Sequence, residues 1–175
     1  MVPAIDDLKN MVKGTGSHNS PAGVMCHFVA INEDWGIKCY VDQEERDMCY
    51  DNQAFAYEFG LAPAVGVCFS VPYPEDMLED MEECELENCE AMYYCYVTEK
   101  VELLLEESVW HEDRELYHRT WDKTEEMRGD IEQELKEVFA ENGRPLYGCL
   151  DMHPINVGFR RGDKKPICID FGFGV

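Results

Sequence analysis

The sequence has few basic residues, 15 Lys and Arg against 37 Asp and Glu, so its formal net charge is −22. A field of that sign repels nucleic-acid phosphates and anionic membranes, so neither is an expected partner. No apolar run approaches the roughly 20 residues that cross a bilayer. The first residues, MVPAIDDLKN, lack the basic and apolar regions of a signal peptide. We therefore expect a cytoplasmic protein, in the producing or the host cell.

The cysteines lack a repeating frame, and their number, nine, is odd. Without an export signal, this usage favours reduced thiols over a disulfide framework. Cys84, Cys89 and Cys95 lie at spacings unlike those of common zinc sites, so we expect no zinc there. A length of 175 residues suffices for one compact domain or two small lobes.

Side chains suited to metal chemistry are concentrated near the carboxyl end, in the stretch LYGCLDMHPINVGFRRGDKKPICIDFGFGV. Asp151 is followed five positions later by Asn156, and Asp170 begins an Asp-Phe-Gly sequence. Two short apolar runs, 156–159 and 166–169, are separated by polar residues, a pattern that predicts a β-hairpin. Such a hairpin brings the three side chains close together, and their oxygens suit metal-assisted phosphoryl transfer.

The hexapeptide Asp-Met-His-Pro-Ile-Asn, residues 151–156, resembles the catalytic loop of the protein-kinase-like superfamily. It is most similar to the loop of the aminoglycoside and choline kinase branch, and short phage and bacterial effector kinases carry similar loops. The resemblance implies that Asp151 is the catalytic base and that Asn156 and Asp170 bind Mg²⁺. His153 stands where typical protein kinases have a Lys, and we expect it to fix Asp151 by hydrogen bonding. The alternative is an Asx turn at Asp151 and a chance Asp-Phe-Gly.

A glycine-rich segment, KGTGSHNSPAG, precedes a predicted strand at residues 24–31. Backbone amides at Gly14, Gly16 and Ser17 would form a nest for phosphate oxygens. The spacing departs from the kinase pattern Gly-x-Gly-x-x-Gly, so a plain flexible turn is the alternative. In the next predicted strand, 36–41, the resemblance implies that Lys38 binds the α- and β-phosphates. The alternative for Lys38 is an ordinary solvated strand lysine.

The segment 43–60 has the pattern of a helix, and the resemblance implies that this helix gives an acidic partner to Lys38. Asp51 lies nearest the expected place, although Tyr50 fits the spacing about as well. The other candidates are Glu44, Glu45, Gln53 and Glu58. Residues 98–101 fall where kinases have their hinge, so we expect backbone groups of Glu99 and Val101 to bind adenine.

The resemblance implies an α+β, two-lobed protein-kinase-like fold. The N-lobe, residues 1–98, has a small antiparallel sheet and an acidic insertion at 72–90, read as a solvated segment or as a docking surface for a basic partner. The minimal C-lobe, residues 99–175, has a hinge and a helix that we expect Thr124 to cap and Gly143 to end. Only five residues follow Asp170, so under this interpretation we expect either a naturally compact kinase or a truncated one.

The resulting hypothesis is a minimal kinase that transfers the γ-phosphate of Mg-ATP to a hydroxyl, expected on a host protein, with small substrates left open. The alternative is a non-catalytic acidic protein that mimics nucleic-acid charge, or a pseudokinase, and inhibits a basic partner. The charge of −22 motivates this alternative.

Overall fold

The computed structural model describes residues 1–14, 26–73, 91–105, 113–144, 146 and 156–171. These residues form three helices and seven strands, which confirms the α+β class. The helices are α1 (Ile5–Gly14), α2 (Gln43–Glu58) and α3 (Arg114–Glu141). The strands are β1 (Cys26–Ala30), β2 (Trp35–Tyr40), β3 (Val65–Pro72), β4 (Met92–Glu99), β5 (Glu102–Leu103), β6 (Val157–Phe159) and β7 (Pro166–Cys168).

The chain divides into two compact units. The first unit comprises Met1–Asp47 and Gly66–Lys100, and the second comprises Met48–Val65 and Val101–Val175. The division into kinase lobes at residues 1–98 and 99–175 stays a prediction. Within the described residues, no helix is long and apolar enough to cross a membrane.

The first unit is built on a four-stranded antiparallel sheet in the order β1-β2-β4-β3. Successive side chains of a strand point to opposite faces, and Ile37 and Cys39 of β2 share one of them. They are buried in one cluster with Leu8 and Val12 of α1. Helix α1 therefore stabilises the sheet by covering its apolar face, because its apolar positions recur at the helical spacing and lie on one side of the helix.

The opposite face of the same sheet is partly covered by the start of α2. Tyr40 and Tyr96 are fully buried there, with stacked rings whose centroids lie 5.9 Å apart. The Arg46 guanidinium lies over the Tyr94 ring at 5.9 Å and donates a hydrogen bond of 3.3 Å to the Cys95 carbonyl. Arg46 thus anchors the first turn of α2 to β4 through a cation–π contact and a hydrogen bond.

The second unit has its own core around α3. Ile131, Leu135 and Phe139 recur at helical spacing, are buried, and cluster with apolar residues from the end of α2 and from the β6–β7 hairpin. Full burial of each such side chain stabilises the fold by about 1.5–3 kcal/mol. The Phe55 ring meets the Phe139 ring edge-on, with centroids 4.8 Å apart.

The expected start of this helix at Thr124 is wrong. The cap is Asp113, eleven residues before Thr124: its carboxylate accepts a hydrogen bond of 2.9 Å from the Leu116 amide, and the helix begins at Arg114. Thr124 is fully buried in mid-helix, where its hydroxyl donates to the Thr120 carbonyl at 3.1 Å. Tyr117 continues the buried stripe towards the amino end, a signal that extends the helix.

A three-stranded antiparallel sheet, in the order β5-β6-β7, completes the second unit. The register pairs Val157 with Cys168, so the predicted hairpin is present. The two-residue strand β5 was not expected from the sequence, because so short a strand shows no alternation. Arg160 ties the hairpin to the end of α2 by donating a hydrogen bond of 3.2 Å to the Gly60 carbonyl.

Candidate functional site

Asn156 and Asp170, which we call the hairpin mouth, lie where β6 begins and β7 ends. The Ile169 amide donates a hydrogen bond of 3.1 Å to the Asn156 carbonyl, which continues the ladder one step beyond the paired strands. The Asp170 carbonyl accepts a hydrogen bond of 2.8 Å from the Cys168 thiol, and the next residue, Phe171, is buried in the core. The hairpin therefore places the Asn156 backbone opposite Ile169, one residue before Asp170; the convergence of their side chains on a metal stays a prediction.

The oxygen atoms of the hairpin mouth are of the kind that Mg²⁺ prefers. A carboxylate and an amide oxygen are hard ligands, and Mg²⁺ typically takes only one or two protein carboxylates, with phosphate oxygens and water completing its shell. Both residues are half-buried, which restricts their mobility. Among the described residues, no group of three or more His, Cys, Asp and Glu side chains could hold a metal ion by itself. Binding of Mg²⁺ by Asn156 and Asp170 stays a prediction.

Other residues expected in the site lie outside the described part of the chain. Asp151 and His153, the expected base and its neighbour, are among them. So are Gly16 and Ser17 of the glycine-rich segment and residues 74–90 of the acidic insertion. Gly14 is described, and it is the last residue of α1.

A second set of residues, in the first unit, is centred on Lys38. The register places Phe28 of β1 and Tyr96 of β4 directly opposite Lys38, so this lysine lies on an inner strand between two aromatic residues. Gly36 lies on the same face of the sheet two residues earlier. Phe28, Gly36 and Lys38 together are called the Lys38 face. Lys38 is half-buried, which an ordinary solvated lysine on a strand is not expected to be.

Phe28 is a candidate site residue that sequence reasoning missed. Its ring lies across Gly36: a Cβ added to Gly36 would stand 2.0 Å from the Phe28 Cζ. Only glycine permits this approach, and a glycine inside a strand is the signal that could have revealed it. The ring is nevertheless 50% exposed, which is unusual for Phe. An exposed ring beside a lysine offers a stacking surface next to a cation.

The acidic residues of α2 differ sharply in their burial. Glu44, Asp51 and Glu58 are exposed, whereas Glu45 is only 9% exposed and lies in the first unit together with Lys38. A carboxylate is rarely buried unless a cation or hydrogen bonds compensate it.

Hydrogen bonds also fix the start of α2 and the side chain of Gln53, the remaining polar candidate partner of Lys38. The Asp42 carboxylate caps α2 by accepting a hydrogen bond of 2.8 Å from the Glu45 amide, which fixes where Glu45 lies. Gln53 is fully buried, and its amide donates to the Pro63 carbonyl at 3.1 Å. Among the acidic candidate partners of Lys38, Glu45 is thus the buried one, whereas Glu44, Asp51 and Glu58 are exposed.

The expected hinge residues lie at the end of β4 and just beyond it. Glu99 is the last residue of β4, opposite Trp35, and the Lys100 amide donates to the Asp34 carbonyl at 2.7 Å. In the second unit, Val101 packs against the hairpin: its Cγ2 would stand 2.5 Å from a Cβ added to Gly158. The role of Glu99 and Val101 in binding adenine stays a prediction.

Ion pairs brace the turn of the hairpin, at the end away from the mouth. Lys165 pairs with Glu134 of α3 at 2.5 Å, and Lys164 pairs with Glu102 of β5. The hydrogen bond from the Arg160 guanidinium lowers the pKa of Asp163 to about 2, helped by the Lys165 amide. These contacts fix the hairpin against its neighbours in the second unit.

The structure thus places the backbones of Asn156 and Asp170 close together in the second unit and sets Lys38 between Phe28 and Tyr96, on the same face as Gly36, in the first. No family model, curated protein or solved structure matches the chain. A functional assignment therefore depends on the chemistry of these residues.

Proposed function

We propose that this protein is a minimal kinase that transfers the γ-phosphate of Mg-ATP to a hydroxyl group. The observation that supports this most directly is the hairpin mouth. The ladder of β6 and β7 puts Asn156 opposite Ile169, the residue before Asp170, so the backbones of an amide-bearing and a carboxylate-bearing residue lie close at the open end of the hairpin. Asp151 stands five positions before Asn156 in the sequence, and we assign it the role of the third oxygen-bearing side chain.

Each residue has a role that its chemistry suits. Mg²⁺, held by Asp170 and Asn156, would neutralise the charge of the phosphate oxygens. Asp151 would accept the proton of the attacking hydroxyl, since an ionised carboxylate is the form present near neutral pH. Lys38 would bind the α- and β-phosphates as a point charge. Catalysis then comes from positioning and electrostatics, which phosphoryl transfer chiefly requires.

The Lys38 face supports the nucleotide part of the proposal. Lys38 is half-buried on an inner strand between Phe28 and Tyr96. A carboxylate such as that of Glu45 would pair with its ammonium group and orient it. The exposed Phe28 ring would stack on the base, a contact that tolerates any purine and contributes about 1–3 kcal/mol. Free nucleotide is the ligand that fits, because the charge of −22 disfavours a nucleic-acid chain.

The expected acceptor is a protein of the host cell, and the charge of this chain favours one with a basic surface. A field of −22 speeds the encounter with a positively charged partner and repels acidic ones. Such steering weakens as salt is added, because exposed charges are screened over about 8 Å at physiological ionic strength.

A phosphate-transfer assay with labelled ATP and a host lysate tests the proposed kinase activity. The wild-type protein is incubated with γ-labelled ATP, Mg²⁺ and lysate, and labelled proteins are identified. Asp151→Asn and Asp170→Asn are compared with Asp130→Asn, which removes one exposed carboxylate from α3. We expect labelling with the wild type and Asp130→Asn and none with the other two.

Two results would argue against a kinase. Equal labelling by all four proteins would show that the activity is a contaminant. No labelling, together with capture of a basic protein that Asp151→Asn and Asp170→Asn retain, would favour the non-catalytic acidic binder.

A further inference from the structure

Two cysteines face each other across adjacent strands in the core of the first unit. The register pairs Cys39 of β2 directly with Cys95 of β4. Both are thiols, 1% and 0% exposed, and both belong to the same apolar cluster. Their side chains therefore leave the sheet on the same face and lie side by side.

The hydrogen-bond pattern of the two strands defines which kind of pair this is. One step beyond the ladder, the Lys100 amide donates to the carbonyl of Asp34, the residue opposite it. Directly opposite residues exchange such bonds only at hydrogen-bonded pairs, and the two kinds of pair alternate along antiparallel strands. Five steps along, Cys39 and Cys95 consequently form a non-hydrogen-bonded pair.

Non-hydrogen-bonded pairs have the geometry that a disulfide needs. Their Cα atoms lie about 4.5 Å apart and their side chains approach most closely, whereas disulfides span Cα separations of about 4.4–6.8 Å. We propose that Cys39 and Cys95 form a reversible cross-strand disulfide when the folded protein meets a disulfide or peroxide oxidant. The strands are already in register, so neither has to slide.

The reaction balances with glutathione disulfide as the oxidant. One thiol loses its proton and attacks glutathione disulfide, which releases one glutathione thiolate and leaves a mixed disulfide. The second cysteine thiolate displaces the other glutathione, so two electrons and two protons pass from the protein to two molecules of glutathione. Because both thiols are buried, the first attack requires local opening of the sheet, and the rate should level off at high oxidant concentration.

The link would act on the strand that carries Lys38. Lys38 is the neighbour of Cys39, and Tyr96, its cross-strand partner, is the neighbour of Cys95. Oxidation would therefore lock the register of β2 against β4 next to the Lys38 face. The inference itself depends only on the register and burial of the two cysteines and stands apart from the proposed kinase activity.

Peptide mass spectrometry tests the inference on the wild-type chain. The reduced protein is incubated natively with glutathione disulfide, quenched with acid and N-ethylmaleimide, and digested. We expect a linked peptide joining Cys39 to Cys95 that dithiothreitol removes, and an oxidised protein whose Tm is higher by roughly 5 °C or more. Cys95→Ala should lose both the link and the shift, whereas Cys49→Ala, which removes a buried thiol from α2, should keep them.

Two results would overturn the inference. One is native protein whose other cysteines become glutathionylated while Cys39 and Cys95 stay as thiols. The other is a link that appears only when the same oxidant acts in guanidinium chloride, since the folded sheet would then not favour this pair.

Discussion

Replacing Gly158 by Ala should destabilise the second unit, because the new methyl group enters occupied space. Gly158 is buried in β6, between Val101 and Ile169. The added Cβ would stand 2.5 Å from the Val101 Cγ2 and 2.8 Å from the Ile169 Cγ2. Carbon atoms prefer separations of about 3.5–4.0 Å, so one or both neighbours must retreat by roughly 1 Å.

Two effects of opposite sign decide the magnitude. Overpacking of this kind costs about 1–3 kcal/mol. Replacing glycine by alanine restricts the unfolded chain, which raises the free energy of unfolding by about 0.4–1 kcal/mol. Overpacking is the larger effect, so we expect a net loss of roughly 1–2 kcal/mol in the free energy of unfolding. Val101→Ala removes the closer of the two methyl contacts and should recover part of this loss in the double variant.

Urea unfolding followed by circular dichroism at 222 nm measures these values, because α3, the longest helix described, lies in the second unit. The four proteins of the cycle should show a coupling energy of about 0.5 kcal/mol or more between Gly158→Ala and Val101→Ala. A Gly158→Ala protein as stable as the wild type would refute the reasoning, as would strict additivity with Val101→Ala.

Three further predictions concern the core, a titration and the nucleotide. Leu135→Ala should lower the free energy of unfolding by about 2–5 kcal/mol, because Leu135 is fully buried. Its control Lys136→Ala, on the exposed side of the same helix, should change that free energy by less than about 0.5 kcal/mol. Equal effects of the two variants would contradict the assignment of Leu135 to the core. The carboxyl of Asp163 should titrate near pH 2 by NMR in the wild type and closer to pH 4 in Arg160→Gln. Because its pKa is depressed in the folded state, this carboxylate adds stability that is present above about pH 4 and is lost as the pH falls towards 2. An unchanged titration in the variant would exclude the Arg160 contact. Phe28→Ala should weaken ATP binding roughly 5- to 150-fold, because the stacking contact with the base is lost. The Tm should change little, because the ring is half exposed. An unchanged affinity would show that Phe28 does not belong to the site.

Local patterns predicted much of the fold. The β-hairpin followed from two apolar runs separated by the polar segment Arg160–Lys165, and the structure pairs them with the expected strands. Helix α2 followed from its helical pattern over residues 43–60. In each of these cases the signal lies within the element itself.

The rest depends on contacts between distant parts of the chain. The amino-terminal end of α3 was missed because Thr124 is an acceptable cap by type, whereas the fold buries it in mid-helix. The Lys38 face was incomplete because the approach of Phe28 to Gly36 depends on the register of two strands. Burial separated Glu45 from the other acidic candidates, and sequence spacing alone cannot reveal burial.

Calorimetry of ATP binding with and without Mg²⁺, on the wild type and on Asp170→Ala, tests the central claim most directly. The account predicts that the wild type binds Mg-ATP, and that either removal of Mg²⁺ or Asp170→Ala weakens binding at least about tenfold, equivalent to about 1.4 kcal/mol. Binding that is indifferent to both changes, or no binding at millimolar Mg-ATP, would contradict it.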